Sequence, residues 1–239
     1  MTHILKNPPP DPLHDSKHWY LKQIKIFADL PEKDKMKLHD MSKMVSYKKH
    51  QAICFPGQPG KMVFLLKEGR VKISRVNENG QEATICLLEP GEIFGEMEAL
   101  NDIPHETLVQ ALEPALVCEI TRENFLRFLD KCPTAGINLL KSVGGRLRNI
   151  ESKFGDLVFH SAPARLAKLL LQLGDSMGEK ERDGIRLNIR LTHQNLANLI
   201  GTSRETVSAI LSQFQREGLL IQKRRQICLL NTKELGKIQ

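Results

Sequence analysis

The chain has 239 residues, a formal net charge of +7 at neutral pH and five singly scattered cysteines. This length allows two domains with separate cores, and no apolar run approaches the roughly 18–20 residues that span a bilayer. An odd number of cysteines without a CxxC pair argues against a disulfide framework and for a reducing compartment. Because no signal sequence is recognisable either, we expect a cytoplasmic protein without a membrane partner.

The positive charge is concentrated in the C-terminal third of the chain. Residues 1–160 contain 22 Lys and Arg against 21 Asp and Glu, whereas residues 161–239 contain 13 against 7. Such a basic segment is typical of proteins that contact nucleic-acid phosphates. Basic faces also occur on proteins that never meet DNA, so the charge supports this interpretation without deciding it.

Residues 1–18 are rich in proline and are predicted to form a flexible tail. Two short helices are expected next, over Trp19–Leu30 and Lys33–Met44. Between Gln51 and Ile120, short apolar runs alternate with Gly- and Pro-containing turns about every 8–12 residues, the pattern of an all-β sandwich or barrel. We predict a β jelly roll there, with a tight hairpin turn at Asn79-Gly80.

A long helix is predicted after Pro133, following a short one capped by Thr121. Six of its apolar residues are spaced alternately three and four positions apart, a heptad seam that favours pairing with an identical helix. A helix packed against its own barrel needs a similar stripe, so intramolecular packing stays as the alternative. The seam residues are Leu140, Val143, Leu147, Ile150, Phe154 and Leu157.

A further helix is predicted after Ser161, with Pro163 in its first turn and leucines along one face. A polar loop, Gly174–Gly184, is expected to follow it. Near the C-terminus, Leu219–Gln222 and Gln226–Leu230 are predicted to be strands that form a wing.

The stretch Leu191–Phe214 predicts two short helices that meet at Gly201, which suits a turn with positive φ. Thr192 and Ser203 are suitable N-caps for these helices. In the second helix a stripe at i, i+3, i+4 and i+7 must be buried, which leaves Arg204 and Glu205 on the outer side. Such a helix can enter a major groove, with arginine on guanine and glutamate on a cytosine amino group. On spacing alone, an amphipathic pair in an ordinary α domain is the alternative.

The run TSRETVSAIL closely resembles the recognition helix of the Crp/Fnr family of bacterial transcription regulators, and the resemblance extends over about residues 20–233. It implies an α+β fold with a cyclic-nucleotide-binding-like jelly roll over residues 19–132. A dimerisation helix over 133–160 and a winged helix-turn-helix over 161–239 would follow. It also implies a homodimer that binds a pseudo-palindromic double-stranded DNA site with TGTGA-like half-sites. Activation would use RNA polymerase contacts at Asn77–Glu82 and Gly174–Gly184.

The resemblance also assigns roles at the DNA. Ala209 stands where the family often has a second arginine, so preference at one base pair should be relaxed or shifted towards an AT-rich step. His193 replaces a residue that is often arginine, so its phosphate contact should be weak and pH-sensitive. The expected base-reading residues are Arg204, Glu205 and Ser208. The expected phosphate contacts are Thr192, His193, Gln194, Ser203, Thr206, Lys223, Arg224 and Arg225.

The segment Gly91–Met97 resembles the phosphate–ribose cassette of cyclic-nucleotide barrels. Where such a site carries Arg-Ser, this chain has His105-Glu106-Thr107, and a carboxylate repels a phosphate. Residues 81–120 contain no Lys or Arg, and Ile150-Glu151 replaces the Thr-Ser that contacts the base in cyclic-AMP-responsive members. We therefore expect no cyclic AMP binding. The candidate effector pocket would comprise Gly95, Glu96, His105 and Thr107, with the first two as scaffold.

No cofactor, metal site or catalytic residue is predicted. An iron–sulfur cluster needs about four thiolates, and only Cys118 resembles a ligand of the oxygen-sensing members. Haem stays as an alternative, because one or two histidines suffice, as does thiol redox sensing, although no motif supports Cys54, Cys86 or Cys132. A dimeric ligand-binding module whose helix pair contacts protein is a further alternative. The histidine candidates are His14, His18, His50, His105 and His160.

Overall fold

The computed structural model describes residues 31–223 and 226–238. The predicted tail, the helix expected over Trp19–Leu30 and the wing-tip residues Arg224 and Arg225 lie outside this part of the chain. Two compact units form: a first unit of residues up to Arg75 with Leu87–Arg146, and a second unit of Val76–Cys86 with the residues from Leu147 onward. The division between these units falls inside the long helix that begins at Pro133.

Eight strands in two four-stranded sheets form the predicted jelly roll. The strands are β1 (Ser42–Tyr47), β2 (Ala52–Cys54), β3 (Met62–Glu68), β4 (Val71–Val76), β5 (Glu82–Leu88), β6 (Ile93–Phe94), β7 (Leu108–Ala111) and β8 (Ala115–Thr121). The sheet orders are β1-β8-β3-β6 and β2-β7-β4-β5, and β8 pairs antiparallel with both β1 and β3. Helix α1 (Glu32–Asp40) precedes them, and α2 (Glu96–Asn101) follows β6.

One local prediction in this region is wrong: the helix expected over Lys33–Met44 ends at Asp40, because Ser42–Met44 pair with β8 as the start of β1. The hairpin predicted at Asn79-Gly80 is confirmed, since β4 and β5 are neighbours in one sheet. The Asn77 N–H donates to the Gln81 carbonyl oxygen at 3.0 Å, and the Gly80 N–H donates to the Asn77 carbonyl oxygen at 2.9 Å, so the loop is tight. Within that loop only Gly80 has a positive φ, of 75°.

Helices α3 (Arg122–Lys131) and α4 (Pro133–Phe159) follow the barrel. The Thr121 hydroxyl accepts from the Asn124 N–H, which confirms the predicted cap. The beginning of α4 packs into the core of the first unit through Ala135 and Leu139, while Val143 is partly buried against the same core. The core also contains apolar residues of β3, β8 and α3.

The second unit contains α5 (Ala162–Met177) and a four-stranded antiparallel sheet of order β11-β12-β10-β9. Ser161 caps α5 as predicted, and the leucines of its predicted apolar face are buried: Leu166, Leu169, Leu170 and Leu173. The remaining elements are β9 (Gly178–Glu181), β10 (Gly184–Leu187), α6 (His193–Ile200), α7 (Arg204–Arg216), β11 (Leu220–Lys223), β12 (Gln226–Leu229) and α8 (Thr232–Leu235). Within the described residues, no helix is both long and apolar enough to cross a membrane.

The prediction of a polar loop over Gly174–Gly184 is wrong. Helix α5 continues to Met177, and β9 pairs with β10 in continuous register from Gly178 opposite Leu187. The end of α5 and the start of β9 approach closely at Gly178, where a Cβ atom would lie 2.1 Å from the Gly174 carbonyl oxygen.

Candidate nucleic-acid interface

Helix α6 begins and ends where the sequence predicts. The Thr192 Oγ1 atom accepts from the Asn195 N–H at 3.1 Å, and the Asn195 Oδ1 atom accepts from the Thr192 N–H at 3.1 Å. This reciprocal pair is a capping box, which satisfies two otherwise unpaired donors of the first turn. The helix ends at Gly201, whose φ of 66° lies in the left-handed region that favours glycine.

The recognition helix α7 is capped by Ser203, whose hydroxyl accepts from the Thr206 N–H at 3.1 Å. The apolar stripe of α7 faces the interior of the second unit, as predicted, because each of its members is at most 5% exposed. Burial of this stripe directs the opposite face of the helix to solvent. The stripe consists of Val207, Ile210, Leu211 and Phe214.

The first turn of α7 presents Arg204 and Glu205 to solvent. A hydrogen bond from its own backbone N–H and another from the Ser203 hydroxyl lower the pKa of the Glu205 carboxyl, and the Arg204 charge adds to this effect. The carboxylate is therefore ionised at neutral pH and can accept from a base amino group. An exposed arginine and an ionised glutamate at the N-terminal turn are the groups that a major-groove helix needs.

The predicted base-reading residue Ser208 and the predicted phosphate contact His193 bind each other. The His193 Nδ1 atom lies 2.7 Å from the Ser208 Oγ atom, and the His193 Nε2 atom lies within 3.3 Å of the Gln222 amide on β11. The Ser208 hydroxyl also donates to the Arg204 carbonyl oxygen at 2.9 Å. Sequence reasoning missed Gln222, because 29 residues separate it from His193.

Two polar contacts, with Glu82 and Arg165, tie α6 to other parts of the second unit, and a third lies within the helix. The exposed Gln194 donates to the Asn198 Oδ1 atom at 2.7 Å, and Asn198 donates to the Glu82 carboxylate at 3.2 Å. The Arg165 Nε atom donates to the Ile200 carbonyl oxygen at 2.9 Å. The contacts with Glu82 and Arg165 join residues 116 and 35 positions apart, so no local sequence signal predicts them. Arg224 and Arg225 lie outside the described residues, as does the side chain of Lys223.

In the barrel, the predicted scaffold residues Gly95 and Glu96 begin α2. Gly95 has φ of 75°, and a Cβ atom there would lie 2.9 Å from both the Met62 carbonyl oxygen and the Phe64 ring. Glu96 is 1% exposed, and its Oε1 atom lies 3.0 Å from the Arg146 Nη1 atom. Burial raises the pKa of the Glu96 carboxyl, and the Arg146 charge opposes that shift.

The other two candidate pocket residues follow α2. His105 is buried, and its Nδ1 atom lies 3.6 Å from the Glu98 Oε1 atom, whereas Thr107 is half-buried. Between them, the exposed Glu106 forms an ion pair with Arg75 of β4. Arg75 lies outside residues 81–120, and the sheet brings it from an earlier strand to Glu106.

No group of three or more His, Cys, Asp and Glu side chains in the described part of the chain is arranged to hold a metal. None of the five cysteines forms a disulfide, and burial, with Glu98 and Glu119 contributing, raises the pKa of Cys54 to about 12. A cavity of about 250 Å³ in the second unit is lined in part by Ile150, Phe154 and Leu157 of α4. None of the four predicted effector residues lines that cavity.

A jelly roll and a winged helix-turn-helix with an exposed Arg–Glu turn in one chain define a DNA-binding regulator with a cyclic-nucleotide-binding-like domain. Residues 44–132 match the family described as "Cyclic nucleotide-binding domain", and residues 164–238 match "Crp-like helix-turn-helix domain". The chain belongs to the Crp/Fnr family of transcription regulators.

Individual relatives agree with this assignment. The chain is 33% identical to the "Cyclic AMP receptor protein" of Thermus thermophilus over 174 residues, which are 73% of this chain and 77% of that protein. It is 28% identical to the "Global nitrogen regulator" of Synechococcus elongatus over 80% of this chain and 87% of that protein. A solved structure of a CooA mutant from Carboxydothermus hydrogenoformans superposes with a TM-score of 0.70 at 28% identity, over 82% of this chain and 87% of that one. These relatives are regulators, not enzymes.

Proposed function

We propose that this Crp/Fnr regulator binds, as a homodimer, a pseudo-palindromic DNA site with TGTGA-like half-sites. The exposed first turn of α7, with Arg204 beside the ionised Glu205, is the observation that carries the proposal. An arginine suits the two major-groove acceptors of guanine, and a glutamate suits the amino group of cytosine. A two-fold dimer presents two such helices to half-sites about one DNA turn apart.

The apolar seam of α4 supports the dimer. Leu140, Leu147 and Phe154 are 72%, 55% and 68% exposed, and Ile150 and Leu157 are exposed as well. A contiguous apolar row that faces water is typical of an interface, and its seven-residue repeat suits an identical helix. Val143 is the exception, because it packs against the core of its own barrel.

Light scattering coupled to size exclusion tests the dimer. Replacing Leu147 by glutamate places a charge in the seam and should yield a monomer, whereas Asn149→Glu introduces the same charge at an exposed position of α4 outside the seam and should remain dimeric. The monomer should also lose most of its affinity for a palindrome, because the second half-site contact is no longer linked to the first. A Leu147→Glu protein that stays dimeric would contradict the seam.

Selection from a random-sequence duplex pool tests the DNA site. The wild-type protein should enrich two inverted half-sites, with one position less constrained because Ala209 supplies no base contact. Restoring the arginine with Ala209→Arg should narrow the preference at that position. Enrichment of a single, unpaired half-site would contradict the proposed symmetry.

We further propose that cyclic AMP is not the signal and that no resident cofactor is needed. Glu106 carries negative charge where a phosphate would need a cation, and it forms an ion pair with Arg75. The two named relatives are a cyclic AMP receptor and a nitrogen regulator, so the likeness does not select a signal. Calorimetric titration of dialysed protein with cyclic AMP should show no saturable binding. The pair Glu106→Arg and Thr107→Ser should create affinity, and micromolar binding by the wild type would overturn the proposal.

We propose activation of transcription in the cytoplasm through RNA polymerase contacts at the Asn77–Glu82 loop and at β9, which is part of the predicted Gly174–Gly184 surface. Glu78 and Lys180 are exposed members of these two segments. Their alanine variants should lose activation in reconstituted transcription while they retain the wild-type affinity for the promoter. Loss of both properties together would place the defect in DNA binding instead.

A further inference from the structure

His193, the first residue of α6, contacts the recognition helix on one side and the wing on the other. Its Nδ1 atom lies 2.7 Å from the Ser208 Oγ atom of α7. Its Nε2 atom lies 3.3 Å from the Gln222 Oε1 atom and 3.2 Å from the Gln222 Nε2 atom of β11. The half-buried imidazole therefore joins three elements of the DNA-binding domain through its two nitrogens.

The distances fit either tautomer of His193, and we assign the one that lets the Ser208 hydroxyl donate to the Arg204 carbonyl oxygen at 2.9 Å. Ser208 has a single hydroxyl proton, so in this tautomer it accepts a hydrogen bond from the His193 Nδ1–H group. The Nε2 atom then accepts a hydrogen bond from the Gln222 amide nitrogen. A continuous chain of hydrogen bonds thus runs from the wing to the backbone of Arg204, the residue expected to contact guanine.

We propose that His193 is a positioning residue, which fixes the first turn of the recognition helix relative to the wing and does not serve as a phosphate contact. The same network commits the Ser208 proton, so Ser208 cannot donate to a base unless it releases the Arg204 carbonyl oxygen. Sequence discrimination therefore falls to Arg204 and Glu205, while Ser208 supports the backbone beneath them.

Salt dependence separates the two roles of His193. The probes are the duplex that the wild-type protein selects from a random pool and a random-sequence duplex of equal length. His193→Ala should lower affinity for the selected duplex about tenfold, through the loss of its hydrogen bonds, with little change on the random duplex. The slope of log affinity against log salt should not change. A phosphate contact predicts the opposite result: an equal loss on both duplexes and a slope shallower by roughly one per subunit.

Conservative variants test each arm of the network. His193→Asn places an amide nitrogen near the Nδ1 position and should keep the contact with Ser208, whereas His193→Gln reaches towards Gln222. Each should recover part of the discrimination that His193→Ala loses. His193→Arg provides the positive control for a phosphate contact, because it should steepen the salt slope without restoring discrimination.

Double-mutant cycles and spectroscopy complete the test. Adding Ser208→Ala or Gln222→Ala to His193→Ala should cause little further loss, because each change breaks the same network. Nitrogen-15 spectra of the wild-type imidazole in its neutral form should show the tautomer with the proton on Nδ1 and none on Nε2. Additive losses, or the opposite tautomer, would overturn the proposal. If His193→Ala merely unfolds the domain, its urea midpoint will fall and both duplexes will lose affinity, which also counts against a positioning role.

Discussion

Replacing Arg146 by methionine should destabilise the first unit by about 3–5 kcal/mol. This is the usual effect of removing one partner of a buried ion pair, because the other charge stays buried without compensation. Glu96 is 1% exposed, and its carboxylate is paired with the guanidinium of Arg146, whose Nη1 atom lies 3.0 Å from the Glu96 Oε1 atom. The Arg146 Nη2 atom also donates to the Ile93 carbonyl oxygen at 2.6 Å, so the substitution leaves that acceptor without its donor as well. Methionine retains most of the aliphatic volume and isolates the electrostatic loss.

Urea unfolding of a double-mutant cycle measures this effect. Glu96→Gln removes the charge at nearly constant volume, and combining it with Arg146→Met should recover most of the stability that Arg146→Met loses. Arg146→Lys keeps the positive charge but cannot donate to both Glu96 and Ile93 in the same geometry, so its stability should be intermediate. The midpoint should shift without a change in slope, since the surface exposed on unfolding is unchanged.

The pH dependence of Arg146→Met follows from the sign of the Glu96 shift. Burial raises the pKa of Glu96 in the folded chain, and removing the guanidinium that opposes this shift raises the pKa further. A carboxyl with a raised folded pKa favours the folded state below its unfolded pKa of about 4.3 and loses that contribution as pH rises through the folded pKa. The stability deficit should therefore be smaller at pH 5 than at pH 8, and Glu96→Gln should abolish the difference. A deficit below about 1 kcal/mol at both pH values would show that water solvates this carboxylate and that the stability argument is wrong.

Three further changes test the site and its supports. Arg204→Ala should cost about 1–3 kcal/mol on a selected duplex and little on random DNA in binding titrations; equal losses would remove Arg204 from base reading. Gly201→Ala should lower the free energy of unfolding by about 1–2 kcal/mol, because alanine resists the φ of 66°, while Gly201→Asn should cost less; equal urea midpoints would contradict this. Burial raises the pKa of Cys54 to about 12, so a maleimide at pH 8 should label the partly exposed Cys86 and leave Cys54 unmodified until unfolding. Rapid native labelling of Cys54 would refute its inertness.

The recognition helix could be predicted in detail because its determinants are local. Thr192 and Ser203 lie at the two N-caps, Gly201 takes the left-handed turn, and the apolar stripe of α7 is buried at each predicted position. Each of these signals acts within about one helical turn, so the sequence alone contains the partner groups. The family resemblance then connected this element to a barrel of the correct class.

The errors have a common physical origin in contacts between distant residues. Ser42 pairs with Ile120 on β8, and this pairing turns the end of an expected helix into a strand. Similarly, β9 forms only because β10 provides its hydrogen-bond partners. Local propensity does not contain such pairings, and tertiary contacts override it.

The same limit applies to the polar contacts of the site. Arg75 is 31 residues from Glu106, and Gln222 is 29 residues from His193. A residue in a motif can contact a ligand or DNA as the motif predicts only if other residues of the protein do not already occupy its hydrogen-bonding groups. The sequence shows that His193 is present, but it does not show that a wing strand and the recognition helix already occupy both ring nitrogens.

The long helix shows that two competing interpretations of one apolar pattern can apply to different residues of the same helix. Ala135, Leu139 and Val143 recur every four residues and pack on the core of the first unit, as the intramolecular alternative requires. Leu140 and Leu147 recur every seven residues and remain exposed, as pairing with a second helix requires. The predicted heptad seam combines residues of both rows, since it places the partly buried Val143 together with the exposed leucines. Because the two rows are separate, the exposed row can form or lose contacts with a second helix without any repacking of the buried row. A substitution that abolishes the proposed dimer is therefore expected to leave the barrel folded.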